Sequence, residues 1–385
     1  MVRGTLGLKT AEGMRDLLPR DLRRLEEMER RALDLFAQWS YQKVLTTGLE
    51  YGACVEPDIT QSGTLYKFFD KEGQVLALRP EFTTPIARLV ATRLKGEQLP
   101  LRLCYSGDVY RNTAIRHREF RQVGAELIGS EADLADAEII ALAIEMIHGL
   151  NVSDFRVSLG HMDVFSGLAD ELSLGEKLRA DLEDGLARKD IVKMERVIAA
   201  SGLPEKAAEF LRLLPHLTGG EDVLVKLDQY NTFKSVRRAS ESLRTIYRYL
   251  CDFGAEKNVL IDLGILRGFT YYTGIIFEGY VPQIGFPALE GGRYDKLYRD
   301  FGLKYPATGF AFNLEALLDV QQTEPRAESA DVFVYGQSPG QVILRCQELR
   351  REGRKVEMAL GYMSEGQARR RASSQRIPLV EKVEG

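Results

Sequence analysis

Cysteine is scarce and scattered in this chain. Cys54, Cys104, Cys251 and Cys346 are the only four, and none forms a CxxC pair. Neither a zinc site nor a disulfide framework is suggested, and a reducing cytoplasm suits such a chain. No apolar run approaches the ~18 residues a membrane span needs, and no signal-peptide pattern is expected at the start. A surplus of positive charge is missing too: 52 Lys and Arg stand against 56 Asp and Glu, a net charge of −4. A general nucleic-acid binder needs a basic surface to neutralise phosphates, so that class is disfavoured. What is present, 44% hydrophobic and 28% charged residues in 385, describes a globular protein of two or three domains.

The most unusual stretch spans residues 109–129, VYRNTAIRHREFRQVGAELIG. It gathers Arg111, Arg116, His117, Arg118 and Arg121, then turns apolar with Val123, Ala125, Leu127 and Ile128 around Gln122 and Glu126. The alternation reads as a half-buried strand. Residues four apart on a strand share a face, so Gln122 and Glu126 look the same way. An amide beside a carboxylate suits a small ligand carrying an amine or an imidazole N–H. Taken alone, a solvated polar face is the commoner outcome of such a pattern.

Elsewhere the patterning predicts a helix over 21–39, with Leu25, Met28, Ala32, Leu33 and Phe36 at helical spacing, and a strand over 41–50. Residues 76–85, LALRPEFTTP, lead into an apolar helix from Ile86. Glu81 and Thr83 there suit an ammonium ligand; equally, Thr83 caps the helix and Glu81 meets its dipole. Arg88 reads as a helix-face residue. A helix is expected over 135–150 and a strand over 155–159, with His161 a structural residue. The stretch 172–253 reads as helical throughout, broken at 202–204 and 219–220, an insertion within the main domain. β character returns over 261–278. A polar stretch with a proline, 323–330, reads as a linker after a domain of 1–322. Beyond it 331–385 shows a βαβαβ outline, in which Arg369, Arg370 and Arg371 suit a solvated helix face.

These segments resemble, in order, the motifs of the class II aminoacyl-tRNA synthetases, and most closely histidyl-tRNA synthetase. Residues 21–50 resemble motif 1, the dimer-forming helix and strand, with Gly48 where a proline is usual. Tyr110-Arg111, Arg116-His117-Arg118-Glu119-Phe120-Arg121-Gln122 and Glu126 resemble motif 2. Arg267-Gly268-Phe269-Thr270-Tyr271-Tyr272 resembles a histidine-specific signature, with Thr270 in place of Asp. Gly291-Gly292-Arg293-Tyr294-Asp295 resembles a second, expected as a glycine turn beside the pocket. Residues 306–320 resemble motif 3. The resemblance implies an α+β fold: a class II aminoacyl-tRNA synthetase-like antiparallel sheet with flanking helices, the helical insertion and a small, truncated anticodon-binding-like α/β domain at the end. It implies a histidine pocket in which Glu81, Thr83 and Gln122 hold the α-amino group and Arg111 and Arg267 face the carboxylate. Tyr272, beside Tyr271, and Glu126 then receive the imidazole.

The departures concern ATP. Thr113 stands where the motif 2 loop carries a Glu, and Ala316 where motif 3 carries the Arg that clamps the phosphates. A retained histidine pocket with damaged nucleotide handling resembles the regulatory-subunit family of ATP phosphoribosyltransferase. That resemblance implies a non-catalytic chain of the first step of histidine biosynthesis, with no cofactor. Its partner is the short-form catalytic subunit, bound by a homodimer within a hetero-oligomer, and L-histidine is the feedback effector. Neither membrane nor tRNA is expected as a partner. No phosphoribosyl-pyrophosphate loop, an acidic pair before a Thr-rich turn, is visible. The competing readings are a divergent histidyl-tRNA synthetase and a stand-alone histidine-binding regulator.

Overall fold

The computed structural model describes residues 8–56, 64–113, 117–265, 271–318, 320 and 329–384. The chain divides into two compact units, Met1–Gln321 and Gln322–Gly385. The first begins α1 (Pro19–Gln38), β1 (Gln42–Lys43), β2 (Leu49–Tyr51), α2 (Gly52–Val55), β3 (Lys67–Phe69), β4 (Val75–Leu78) and α3 (Thr83–Arg93). It continues through β5 (Leu101–Tyr110), β6 (Glu119–Ile128), α4 (Asp133–Gly149) and β7 (Arg156–His161). A helical block follows: α5 (Leu168–Glu171), α6 (Glu176–Ala187), α7 (Ile191–Ala200), α8 (Glu205–Leu213), then β8 (Thr218–Gly219), α9 (Asp222–Leu227) and α10 (Lys234–Asp252). The unit closes with β9 (Val259–Asp262), β10 (Ile275–Tyr280), β11 (Leu289–Arg293), α11 (Leu297–Asp300), β12 (Ala307–Asn313) and α12 (Leu314–Leu318).

Among the described residues, nine strands form one sheet in the order β1-β5-β6-β12-β11-β10-β7-β9-β8. Only β1–β5 and β7–β9 pair in parallel; its centre is antiparallel. One face carries α1, α4 and α12. Helix α1 starts with Pro19 in its first turn, where the missing N–H costs nothing. It presents Leu25, Met28, Ala32 and Phe36 to the core, with Phe36 edge-on to Phe310 at 5.9 Å. Helix α4 is apolar nearly all round and correspondingly buried. Val123, Ala125 and Leu127 of β6 join this core. The opposite face carries α3 and α11, with Phe82, Ile86, Leu103, Tyr105, Tyr294 and Tyr298 in a second core.

Three expectations from the sequence are corrected. Residues 41–50 are not one strand: β1 belongs to the large sheet and β2 to a small one, order β2-β4-β3. Arg79 divides them, its Nη1 donating to Thr46 O at 3.0 Å and its backbone N–H to Gly48 O. Those carbonyls are therefore spent on Arg79 instead of a ladder. The segment with Gly291 and Gly292 is the central strand β11, not a turn. The stretch 172–253 is not helical throughout, since β8 interrupts it and joins the sheet edge at β9. Of the β stretch expected over 261–278, residues 266–270 lie outside the described residues.

The second unit is a parallel sheet, order β14-β13-β15, built from β13 (Val332–Gly336), β14 (Val356–Met358) and β15 (Leu379–Val383). Helices α13 (Pro339–Arg351) and α14 (Glu365–Ser374) connect them. Helix α14 opens with a reciprocal cap between Ser364 and Gln367.

Candidate functional site

The register of the large sheet builds the site. Residues directly opposite each other on neighbouring strands share a face. One such row runs Tyr105–Gly124–Ala311–Glu290–Glu278, the next Leu103–Glu126–Gly309–Gly292–Ile276. Gln122 begins a third, between Gly107 and Asn313. The middle of this face is thus almost bare, floored by Gly124, Ala311, Gly309 and Gly292. Over the floor lies a cavity of about 340 Å³, open mouth included. It is lined by Glu81, Thr83, Arg111, Gln122, Tyr271, Tyr272, Glu290 and Tyr294, with Gly309, Phe310 and Ala311 beneath.

Six of the eight residues expected to hold a ligand thus meet in one cavity. Arg267 lies outside the described residues, as does Arg116. Glu126 is placed differently: it is 1% exposed and stands behind the lining. Thr83 Oγ1 donates to its Oε1 at 2.9 Å, and the Tyr294 hydroxyl bonds its other oxygen. Gly309 makes room for that oxygen, since a Cβ there would overlap it. Burial pushes the Glu126 carboxyl up to about 8; the bonds from Tyr294 and Thr83 oppose the shift, and Glu81 adds to it.

Helix α3 begins at Thr83, earlier than its apolar run suggests. The cap at its start is Glu81, whose carboxylate accepts the Thr84 N–H at 3.1 and 3.2 Å. Thr83 does not cap; its hydroxyl is turned to Glu126. Arg88 holds Glu50 through two bonds of 2.8 Å, away from the cavity. Arg111 leaves β5 at the cavity rim, its Nε donating to Pro80 O at 2.8 Å and its Nη1 4.0 Å from Glu290. Tyr271 packs between Tyr272 and Tyr294, at 4.9 and 5.8 Å between ring centres. His161 sits at the end of β7, where its Nδ1 accepts the Asp163 N–H at 3.2 Å. Burial, then Arg238 and Arg293, hold its pKa down to about 4, so it is neutral.

Glu290 and Tyr294 were missed as ligand-facing residues by sequence reasoning. The available signal was spacing: Glu290 lies two before Gly292 and shares its face. The helix-facing side of β11 is pinned by Arg293, which donates to Asp136 of α4 at 2.9 and 3.0 Å. At the motif 3 position, Glu315 accepts Arg15 at 2.9 and 3.1 Å and the Arg121 N–H at 3.0 Å. Ala316 beside it carries no donor beyond its backbone.

This arrangement offers two carboxylates and one guanidinium to a small ligand, with tyrosines for its apolar part. That suits a zwitterion with further N–H donors. A family model described as histidyl-tRNA synthetase matches residues 13–317. The ATP phosphoribosyltransferase regulatory subunit of Desulfitobacterium hafniense is 50% identical over 368 residues, covering 96% of either chain. The chain belongs to this regulatory-subunit family. The family's subunit from Moorella thermoacetica is 40% identical, over 97% of this chain and 98% of its own. Among solved structures, a regulatory subunit/histidyl-tRNA synthetase from Bacillus halodurans superposes with a TM-score of 0.88 at 29% identity, over the whole of both chains. Histidyl-tRNA synthetase from Nostoc shares the fold, with a TM-score of 0.80 over 98% of this chain and 92% of its own at 21% identity. The fold is therefore that of a class II aminoacyl-tRNA synthetase-like domain.

Proposed function

We propose that the chain is the non-catalytic regulatory partner of a short-form ATP phosphoribosyltransferase catalytic subunit, acting in the cytoplasm, and that its pocket binds L-histidine as feedback effector. The observation carrying this reading is the pocket's charge pattern: Glu81 and Glu290 against Arg111, with Glu126 behind Thr83 and Tyr294. Glu81, Thr83 and Gln122 take the α-ammonium. Arg111 takes the carboxylate, joined by Arg267. The imidazole lies against Tyr271 and Tyr272 and meets Tyr294, through which Glu126 acts. Ala316 and Thr113 support the absence of adenylation, since neither supplies what the synthetase motifs use on ATP.

The test has two arms. Calorimetry on the pure chain should register histidine binding, and pyrophosphate exchange with histidine and ATP should give no signal. Mixed with the short catalytic subunit, the chain should switch on phosphoribosyl transfer that histidine then inhibits. Histidine-dependent exchange would overturn the reading in favour of a synthetase. Failure to activate the catalytic subunit would leave a histidine-binding protein with some other partner.

Homodimer formation is the second part of the proposal. The outer face of the small sheet places Tyr51, Leu76 and Phe68 in one row and Leu49 beside Leu78 in the next. Leu45, Leu49, Tyr51 and Phe68 are all exposed. An apolar sheet face of this kind marks an interaction surface. It includes part of the motif 1-like segment, which supports a second copy of the chain as its occupant.

A further inference from the structure

Glu126 is a buried acid hydrogen-bonded to two neutral hydroxyls, those of Thr83 and Tyr294. The groups around it are of one kind. Glu81 stands before α3; Tyr105 comes from β5, Tyr294 from the turn after β11 and Tyr298 from α11. Tyr41 and Tyr271 feel its charge more weakly. No Lys, Arg or His among the described residues pairs with it, and Arg111 is engaged at Pro80 O and Glu290. An ionised carboxylate without a cationic partner is costly in such a place, so the acid holds its proton. Tyr294 lines the cavity on one side and bonds Glu126 on the other.

Building on the histidine reading above, we propose that Glu126 is the proton donor for the bound ligand: it is neutral while the pocket is empty and protonates the imidazole of histidine through the Tyr294 hydroxyl. The step balances within the site. With Glu126 protonated, its O–H is given to the Tyr294 oxygen and the Tyr294 O–H turns to the cavity. The Glu126 O–H bond then breaks as that proton passes to the Tyr294 oxygen, and the Tyr294 O–H bond breaks as its own proton passes to the imidazole nitrogen. Nothing is oxidised, and when the incoming imidazole is neutral no proton reaches solvent. The carboxylate gains the cation it lacked, while Tyr294 ends as neutral as it began. Burial, which holds Glu126 up to about 8, keeps it protonated at neutral pH. Free imidazole, at about 6.5, is then about nine-tenths neutral at pH 7.5.

The linkage is specific. Below about pH 6.5 binding expels a proton, because the free partners together hold two and the complex one. Between about 6.5 and 8 binding is proton-neutral. Above about 8 the free acid has lost its proton, so affinity falls by about tenfold per pH unit on this account.

The experiment is 15N NMR of ring-labelled histidine bound to the full chain at pH 7.5, beside calorimetry from pH 7 to 9.5. We expect a cationic bound imidazole in the unaltered chain and a neutral one in Glu126→Gln and in Tyr294→Phe. The affinity ratio of unaltered chain to Glu126→Gln should fall at least tenfold between pH 7.5 and 9.5, which removes the ligand's own amine titration. A neutral imidazole bound to the unaltered chain overturns the proposal, even if neither variant folds. A cationic imidazole retained in Glu126→Gln assigns the proton to another source and also overturns it. If calorimetry detects no histidine binding to the unaltered chain, the histidine reading itself has failed and this inference with it.

Discussion

At the scale of single residues, the pocket depends on a pair that never touches the ligand cavity in the same way. Gly309 is a floor residue because Glu126 fills the space where its side chain would be. Gly309→Ala should drive the carboxylate off Thr83 and Tyr294. Overpacking of this kind costs about 1–3 kcal/mol, and a thermal melt should show the loss alongside at least tenfold weaker histidine binding by calorimetry. Glu126 also makes a pH prediction for the empty protein. Its folded pKa, about 8, lies above the ordinary 4.5. The folded state therefore holds the proton more tightly, and the favourable contribution is complete below about pH 4.5. It declines as pH rises from there to about 8, where the folded acid ionises. Relative to Glu126→Gln, the unaltered chain should lose on the order of a few kcal/mol across that window. A flat difference in unfolding free energy between pH 5 and 8 would show that the acid ionises normally.

At the scale of elements, β11 is the strand that must sit correctly on both faces. Its Glu290 and Gly292 face the cavity, while Arg293 reaches Asp136 on the helix side. Both partners are buried, the Arg side chain 9% and the Asp 3% exposed. Removing one partner of a buried pair strands the other, a loss of about 3–5 kcal/mol. Arg293→Ala should show it in denaturant unfolding at pH 8. Burial already pushes Asp136 up to about 6, against the pull of Arg293, so without the guanidinium the carboxyl titrates higher still. The loss should shrink at pH 5, where Asp136 is protonated. An equal loss at both pH values would mean that packing, not charge, is what Arg293 supplies.

At the scale of the whole molecule, the proposed dimer and the proposed regulation are separately testable. Light scattering at micromolar concentration should report a homodimer, and Leu49→Glu should shift it toward monomer by placing a charge in the apolar face of the small sheet. A monomeric unaltered chain would reject the interface. Coupling to the catalytic subunit must be reciprocal, because it is a free energy shared by two sites. Substrates that favour the active assembly should weaken histidine binding by the same factor by which histidine weakens theirs. Equilibrium binding to the assembled complex, with each ligand titrated in the presence of the other, measures both factors, and unequal factors would mean that the sites are not linked through one equilibrium.

Local patterning determined much of this protein by itself. The helical spacing of Leu25, Met28, Ala32 and Phe36 places α1, and the alternation after Gln122 places β6 with Gln122 and Glu126 on one face. These features depend on side chains close in sequence meeting water or core. What tertiary structure alone decided depends on partners far apart in the chain. Arg79 takes the carbonyl of Thr46 and splits 41–50 between two sheets. Two glycines that read locally as a turn are strand residues because β10 and β12 pair on either side of them. Glu126 reads as a ligand contact, yet stands behind the lining because Gly309, 183 positions on, leaves room for its carboxylate and Tyr294 bonds it there. Periodicity encodes which face a residue takes, but cross-strand register and the size of a distant neighbour's side chain set how deep it lies on that face, and therefore which atoms a ligand meets.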